Sequence, residues 1–300
     1  MIRSTAKVTL ITPTYNQCEF LPATIDSVLA QTYRNIDYVV VDDGSIDDTS
    51  KLLSEYQDVL TVKSQENIGQ VRTLNNEWLN SDAEFFAYLS SDDLLDPRAV
   101  EVCVTYLQSH PTCVCVFPNA DLINSHGKVI KKGVCREFVL EKTIVEQECY
   151  IGPGAVFRRD AFLRVGPWNP LLKLAPDREF WIRLSQAGSI AFIKETFAQY
   201  RMHSGSLSFS DKSAETVMEY ISVLDDLFLS SGHSISHLKQ PAYQAAYLLV
   251  ARNCFLGGET RRGFNYILKS MKLGIGFLFF KKMFSLLRVL TARLYWKLKA

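Results

Sequence analysis

Acidic residues are missing from the last 40 positions of this 300-residue chain. Residues 261–300 carry ten Lys and Arg and no Asp or Glu, whereas residues 1–260 hold 23 basic and 32 acidic side chains, a net charge of −9. This asymmetry hints that an anionic surface meets only the C-terminal segment. The chain also lacks the run of about 18 apolar residues that a membrane-spanning helix needs, so we expect no such helix.

Paired cysteine spacings are absent too. The seven cysteines are scattered, which argues against a disulfide framework and against a zinc site. Cys113 and Cys115 alternate with valines, a pattern typical of small apolar side chains in a strand, and we expect them to fill the core. Because the first residues lead into a strand without a secretory-signal pattern, we expect a reducing, cytoplasmic compartment.

Glycine-rich phosphate loops are also missing. No dinucleotide fingerprint follows the first predicted strand, and no Gly-rich loop ends in lysine. This argues against a Rossmann dehydrogenase and against a phosphate-loop ATPase.

A buried strand organises the first half of the chain. Val39–Val41 follow Tyr38 and predict a strand buried on both faces. Further strands are predicted at 7–11, 60–62 and 85–89, with amphipathic helices between them. Strands and helices that alternate in this way imply right-handed crossovers. We therefore predict an α/β fold with a single, mostly parallel sheet flanked by helices.

Acidic residues end two of these strands. Asp42 and Asp43 follow one strand, and Asp92 and Asp93 follow another. Ligands of open α/β sheets bind at the carboxyl ends of the strands, so we expect these four acids and Tyr15 to converge on one cleft. Four adjacent carboxylates repel one another unless a cation lies among them. Oxygen ligands suit Mg²⁺ or Mn²⁺, and the pattern predicts a metal-dependent site for a nucleotide diphosphate compound.

Four blocks in this order resemble the family 2 glycosyltransferases, which have the A-type glycosyltransferase fold. The blocks are residues 11–16 with 27–33, residues 41–49, residues 89–97, and residues 154–203 with Asp177–Leu184 and Tyr200–His203 as their main features. The resemblance implies a nucleotide-diphospho-sugar transferase with a C-terminal helical appendage.

The resemblance also implies roles for single residues. It implies that the nucleotide is bound by Pro13, Thr14, Tyr15, Asp42, Asp43, Arg72 and Ser91. It implies that Asp92, from an Asp-x-Asp motif, and His203 hold the metal, with Asp93 as a further candidate. The first acid of that motif is Ser90 in this chain, which weakens the expected grip on the metal or on the donor ribose.

Asp177 stands where the family places its catalytic base. The acid that usually precedes it is replaced by Pro176, which leaves Asp177 as the sole candidate. By residue pattern alone, an Asp before Phe180, Trp181 and Leu184 predicts a helix N-cap equally well. As a base, Asp177 would serve a direct displacement with inversion, while a divalent ion neutralises the leaving diphosphate.

The C-terminal part is predicted to be helical. We divide the chain into a glycosyltransferase domain over 1–210, a helical hairpin over 211–272 and a basic amphipathic helix over 273–300. In the last segment, Phe277, Phe280 and Phe284 share a face and have basic neighbours, which is typical of a helix in an anionic membrane interface. That contact would place the protein at the inner face of a membrane. The alternative is a helix docked on the domain or on a second subunit.

These features favour an inverting, metal-dependent glycosyltransferase in polysaccharide or glycolipid assembly. The expected partners are a nucleotide diphosphate sugar, first of all a UDP-sugar, a glycan or lipid-linked acceptor, and Mn²⁺ or Mg²⁺ as cofactor, with no nucleic acid. Two alternatives remain. Ser90 is consistent with a non-catalytic nucleotide-sugar-binding scaffold. A sugar nucleotidyltransferase should carry a Gly-rich basic loop, and Thr12–Asn16 is neither.

Overall fold

The computed structural model describes residues 6–206, 213–230 and 235–299, and only the backbone of residues 230 and 292–299. The chain forms two compact units, each drawn from separate stretches. The sheet unit is Met1–Phe138, Tyr150–Pro170 and Phe180–Phe209, and the helical unit is Val139–Cys149, Leu171–Glu179 and Ser210–Ala300. The predicted domain boundaries at residues 210 and 272 stay a prediction.

A mixed sheet of nine strands, counted over the described residues, forms the sheet unit. The strands are β1 (Val8–Thr14), β2 (Ile36–Asp42), β3 (Thr61–Ser64), β4 (Phe85–Tyr88), β5 (Leu94–Leu95), β6 (Cys113–Asn124), β7 (Val129–Lys131), β8 (Val156–Arg158) and β9 (Ser189–Met202). Their order is β3-β2-β1-β4-β8-β6-β9-β5, and β7 pairs with β6. Strands β3, β2, β1 and β4 are parallel, as is the pair β6 and β9. The predicted α/β class is confirmed, and antiparallel pairs enter through β5, β7 and β8.

Twelve α-helices occur in the described chain. They are α1 (Leu21–Leu29), α2 (Thr49–Leu53), α3 (Gln70–Leu79), α4 (Ala99–Ser109), α5 (Leu140–Glu146), α6 (Arg159–Val165), α7 (Pro176–Leu184), α8 (Ala214–Val217), α9 (Glu219–Ser230), α10 (Lys239–Leu256), α11 (Thr260–Lys272) and α12 (Phe277–Lys299). None of these described helices combines the length and the apolar character needed to cross a bilayer.

Strand β1 is longer than its sequence predicts. It continues through Pro13 and Thr14, which pair with Val41 and Asp42 of β2, whereas the sequence places them in a loop. On its other side, β1 pairs with β4 only as far as Ile11. Pro13 therefore lies where β1 has a strand neighbour on one side, a position at which a missing N–H is tolerated. As a result, the loop that leaves β1 begins at Tyr15.

Aromatic rings fill the core between the sheet and its helices. Trp78 of α3 is fully buried, and its ring centroid lies 5.2 Å from that of Phe157 and 5.7 Å from those of Phe162 and Trp168. Such pairs add to the stabilisation from area burial. Cys113 and Cys115 are buried in β6 as expected, and all seven cysteines are free thiols.

A buried amide joins this core to the loop after α6. Asn75 of α3 donates from Nδ2 to the carbonyl oxygen of Trp168 at 2.7 Å, and the Trp168 N–H donates to Asn75 Oδ1 at 3.0 Å. The side chain thus satisfies both backbone groups of one residue inside an aromatic cluster, where water is excluded.

We expect Asn75→Ala to lower the free energy of unfolding by about 2–4 kcal/mol, because two buried backbone groups of Trp168 lose their partners. Urea unfolding followed by fluorescence measures this. The matched control is Asn76→Ala, since Asn76 is exposed on the same helix and should change stability by less than about 0.5 kcal/mol. Equal effects of the two substitutions would contradict the assignment.

Helix α12 has two different apolar faces. Leu286 belongs to the core of the helical unit, together with Val250 of α10 and Tyr266 of α11. The face that carries Phe277, Phe280 and Phe284 is exposed by 60–85%. Lys281 pairs with Glu146 of α5 at 3.0 Å, and Lys282 donates to the Glu146 carbonyl at 2.8 Å. The helix is therefore docked within the helical unit on one side only.

Candidate active site

Two loops at the carboxyl ends of β1 and β2 hold each other. The Asn16 N–H donates to Ser45 Oγ at 2.9 Å, and Asn16 Oδ1 accepts from the Ile46 N–H at 2.8 Å. Asn16 adopts a left-handed conformation with φ of 53°, which asparagine tolerates better than most residues. This bracing leaves the neighbouring Tyr15 exposed by 45%, so its ring is available to a planar ligand.

Asp42 and Asp43 are buried, and the protein itself supplies their hydrogen-bond donors. Asp42 accepts from the Ser45 N–H at 2.9 Å and, through its other oxygen, from Ser50 Oγ. Asp43 accepts from Gln65 Nε2 at 2.8 Å and from the N–H groups of residues 68 and 69 at 2.9 and 2.8 Å. The two carboxylates therefore fasten the loops after β2 and β3 at this edge of the sheet.

Gly44 allows these loops to approach closely. Its φ is +79°, and a Cβ on this residue would lie 2.9 Å from the backbone nitrogen of Asn67. A side chain at position 44 would therefore push the 65–69 loop away from the carboxylate of Asp43. The glycine of the Asp-Asp-Gly sequence is required by this contact as well as by its backbone conformation.

The predicted cluster of four carboxylates around a cation is not found. Within the described ranges, no three His, Cys, Asp or Glu side chains are grouped so that they could hold a metal ion. The physical reason is that loop N–H groups, a hydroxyl and the Gln65 amide donate hydrogen bonds to Asp42 and Asp43, which stabilises these carboxylates without a cation. The predicted role of Asp92 as a metal ligand does not depend on this cluster.

The turn after β4 is tied to two other elements. The Asp93 N–H donates to the Ser90 carbonyl at 3.1 Å, and the hydroxyl of Thr24 in α1 lies within 3.0 Å of the carbonyl oxygens of Ser91 and Asp93. Asp93 Oδ1 accepts from the N–H of Arg201 in β9 at 2.8 Å. Burial, and then the charge of Asp92, raises the pKa of Asp93 well above its usual range, and the Arg201 N–H and charge oppose this rise.

Asp92 is oriented by a histidine. Asp92 Oδ2 lies 2.9 Å from His203 Nε2, and the Gly205 N–H donates to His203 Nδ1 at 3.2 Å. Because Nδ1 accepts a hydrogen bond, the proton of the neutral ring is on Nε2, and the histidine donates to Asp92. The ring of Phe20 packs 4.6 Å from the imidazole and limits its rotation.

A divalent cation fits this arrangement through Asp92. The second carboxylate oxygen of Asp92 has no hydrogen-bond partner among the described residues, and Mg²⁺ and Mn²⁺ commonly take one or two carboxylates together with substrate phosphates. His203 would ligate through Nε2 only if its proton moved to Nδ1, where the Gly205 N–H now donates. The role of His203 as a ligand, and that of Asp93 beside it, stay predictions.

Arg201 is a residue of this site that the sequence interpretation did not assign. Its Nε donates to the Asp92 carbonyl at 2.7 Å, and its Nη1 donates to the carbonyls of Asn124 and Ser125 at 3.2 and 3.1 Å. Its guanidinium carbon lies 5.1 Å from the centroid of the Phe20 ring. Arg201 thus fixes the backbone that carries Asp92. The Tyr-Arg-x-His block contained this residue, but nothing in the sequence linked it to a turn 109 positions earlier.

The other predicted nucleotide residues differ in accessibility. Pro13 and Thr14 are buried at the end of β1, and Thr14 Oγ1 has no hydrogen-bond partner among the described residues. Ser91 is 7% exposed. Arg72 is exposed on α3. Their part in nucleotide binding stays a prediction.

Asp177 lies in the first turn of α7, within the helical unit. The residue keeps part of its surface exposed, but its carboxyl group is enclosed, and burial raises its pKa above the usual value for Asp. The N–H groups of the helix start and the charge of Arg178 oppose this rise. A carboxylate with a raised pKa is suited to accept a proton.

The amino-acid sequence matches a known family over more than half of its length. Residues 9–166 match the family described as Glycosyl transferase family 2. The chain belongs to glycosyl transferase family 2. It is 30% identical over 208 residues to an uncharacterised glycosyltransferase of Rickettsia typhi. The aligned region covers 65% of this chain and 64% of the relative. It is 26% identical over 205 residues to a chondroitin synthase of Escherichia coli. The aligned region covers 67% of this chain and 30% of the relative.

Solved structures show that this family 2 chain has the A-type glycosyltransferase fold. Staphylococcus aureus TarS 1–349 in complex with UDP-GlcNAc is similar with a TM-score of 0.69, 17% identity, and coverage of 90% of this chain and 82% of that one. The mannosyltransferase PcManGT from Pyrobaculum calidifontis, in complex with GDP-Man and Mn²⁺, is similar with a TM-score of 0.61, 16% identity, and coverage of 97% and 81%. At these identities the likeness concerns the fold.

The tautomer of His203 is directly measurable. For the neutral ring in the metal-free protein, we expect ¹⁵N NMR to show Nε2 protonated and Nδ1 not, because Gly205 donates to Nδ1 and Asp92 accepts from Nε2. His126, which is exposed, is the control for averaging between tautomers. A proton found mainly on Nδ1 of His203 would contradict this hydrogen-bond network.

Proposed function

We propose that this protein transfers a sugar from a nucleotide diphosphate sugar to an acceptor hydroxyl, with inversion at the anomeric carbon. The observation that carries the proposal is Asp92, held at the end of β4 by His203 and Arg201 with one carboxylate oxygen unpaired, in a chain of glycosyl transferase family 2. Ligands of open α/β sheets bind at this edge.

A UDP-sugar is the donor that we favour. TarS is described in complex with UDP-GlcNAc and the mannosyltransferase in complex with GDP-Man, which supports a nucleoside diphosphate sugar here. The exposed ring of Tyr15 offers a stacking surface for the base. Asp42 and Asp43, whose oxygens accept from loop N–H groups, serve chiefly to hold the loops that surround the nucleotide.

Asp177 acts as the general base in this reaction. A single carboxylate suffices for a direct displacement, in which the acceptor hydroxyl loses its proton as its oxygen attacks the anomeric carbon. Because burial raises the pKa of Asp177, its conjugate acid is weaker than an ordinary Asp and the carboxylate is a stronger base. Asp92 would hold a Mn²⁺ or Mg²⁺ ion that neutralises the charge of the leaving diphosphate.

Replacing the base tests this reaction. For Asp177→Asn we expect kcat to fall by about 10²–10⁴-fold, the usual contribution of a positioned general base, with little change in the Kd for UDP. In the wild type, kcat/KM should fall as the pH drops through the pKa of Asp177, and this acid limb should lie above the ordinary range for Asp because burial raises that pKa. Steady-state kinetics with a UDP-sugar donor measures both.

Asp92→Asn supplies the comparison. It should weaken metal-dependent UDP binding in calorimetry, whereas Asp82→Asn, at a surface position, should change neither binding nor turnover. Full turnover in the Asp177→Asn variant would remove Asp177 from the mechanism. UDP binding without any turnover in the wild type would favour the non-catalytic scaffold.

The exposed face of α12 is the part of the chain that would meet an anionic membrane surface. Phe277, Phe280 and Phe284 are exposed by 85%, 60% and 71%, and no acidic residue occurs from 261 to 300. A helix that presents aromatic side chains and basic neighbours can lie in a lipid interface. This location at the inner face of a membrane suits a lipid-linked or polysaccharide acceptor. In the alternative, a second subunit rather than lipid covers the outer face of α12.

Substitution of this face is a sharper test than deletion of residues 273–300, because Leu286 belongs to the core. We expect the triple variant Phe277→Ser, Phe280→Ser, Phe284→Ser to bind anionic phosphatidylglycerol vesicles about 100-fold more weakly, since partial insertion of each ring contributes about 1 kcal/mol. Vesicle sedimentation measures this. The control replaces the exposed Val59, Leu163 and Leu229 with Ser, and equal binding by both triple variants would exclude the proposed surface.

A further inference from the structure

Arg178 is a buried cation, and two of its three guanidinium nitrogens have no hydrogen-bond partner among the described residues. It follows Asp177 in α7, is only 4% exposed, and its Nε and Nη1 atoms are buried with no hydrogen-bond partner among the described residues. Its guanidinium carbon lies 4.0 Å from the centroid of the Tyr220 ring. The ring supports the face of the guanidinium but leaves its N–H groups, which lie in the plane, without acceptors.

The nearby acids do not satisfy Arg178. Burial lowers the pKa of Arg178 and the charge of Asp177 opposes this, but neither Asp177 nor Glu219 accepts a hydrogen bond from its buried Nε and Nη1 in the part of the chain that the structure describes. Glu219 instead accepts from the N–H groups of Lys173 and Leu174 at 2.8 and 2.7 Å. An enclosed guanidinium without an acceptor costs free energy unless something supplies one. Such a group in a native fold therefore calls for a ligand or for a structural explanation.

The charges around Tyr220 show that Arg178 and Asp177 share one environment. Burial raises the pKa of the Tyr220 phenol, while the charge of Arg178 lowers it and that of Asp177 raises it. A second guanidinium, that of Arg252 in α10, also lowers it. The charges of Arg178, Arg252 and Asp177 therefore all affect the pKa of the same phenol.

We propose that Arg178 binds an oxyanion, a phosphate or a carboxylate, that is carried by the acceptor close to the hydroxyl that Asp177 deprotonates. This inference rests on the proposed function and specifies the acceptor class as anionic. Guanidinium groups recognise planar and tetrahedral oxyanions through charge-assisted hydrogen bonds. Arg178 follows the proposed base Asp177 directly in α7, and this adjacency is why we assign the anion to the acceptor.

A purely structural role makes a different prediction. If Arg178 only supported Tyr220, an apolar residue of similar length would replace it with no effect on anion binding. An apolar side chain also removes the two buried nitrogens that lack acceptors, so a purely structural role does not require a loss of anion binding. Anion binding and stability therefore separate the two roles, and Arg178→Met is the informative variant.

The experiment measures binding of inorganic phosphate and of glucuronate to the full chain by thermal shift, at constant ionic strength and with saturating UDP and Mg²⁺ present. The nucleotide occupies the donor site, so any remaining shift reports a second anion site. We expect the wild type to bind one of the two probes, and Arg178→Met to bind it about 10–100-fold more weakly, because hydrogen bonds to a charged group are lost. Preference for phosphate indicates a phosphate-bearing acceptor, and preference for glucuronate indicates a uronate-bearing one.

Arg164→Met is the matched control, since Arg164 is an exposed arginine on α6 and should leave the shift unchanged. Arg178→Lys retains the charge without the planar fork and should bind the probe with intermediate affinity, which keeps the test usable if Arg178→Met does not fold. Three outcomes would overturn the inference. They are equal binding by the wild type and by either Arg178 variant, loss of the wild-type shift when UDP is added, and no shift with either probe. Failure of the wild type to bind UDP would instead count against the proposed function.

Discussion

Backbone N–H groups at the loop edge of the sheet need acceptors, and buried carboxylates provide them. Asp42 accepts from the loop that follows β2, Asp43 from the loop that precedes α3, and Asp93 from the N–H of Arg201 in β9. Asp43 and Asp93 thus connect segments that are distant in sequence, whereas Asp42 holds the loop that follows it directly. An unsatisfied buried N–H or carboxylate would cost free energy. These hydrogen bonds therefore hold the loops of the candidate site in one arrangement.

This use of acids for structure changes how the site is interpreted. Four acids at two strand ends suggest a cluster around a cation, yet Asp42 and Asp43 accept hydrogen bonds from loop donors, and burial raises the pKa of Asp93 well above its usual range. Asp92 differs because His203 contacts only one of its oxygens. In the proposed function Asp92 is therefore the carboxylate that would hold a metal ion, and the remaining ligands would come from the diphosphate and from water.

The helical unit carries two groups that its own packing does not explain. The outer face of α12 exposes phenylalanines although the inner face is docked, and the buried Nε and Nη1 of Arg178 have no partner in the described part of the chain. A large exposed apolar face and an unpaired buried cation both cost free energy in an isolated protein. Both occur in the unit that also carries the proposed base Asp177.

The sequence by itself determined the elements and the family. Hydrophobic patterns gave β2, β4, α1 and α3 to within a few residues, and the ordered blocks from residue 11 to residue 203 predicted the glycosyltransferase fold. Only the tertiary structure decided that Asp43 serves loop N–H groups, that β1 runs through Pro13, that Arg201 supports Asp92 and that Arg178 is enclosed without an acceptor. Pattern and propensity act over neighbouring residues, whereas the partner of a buried polar group comes from whichever distant segment the fold brings to it.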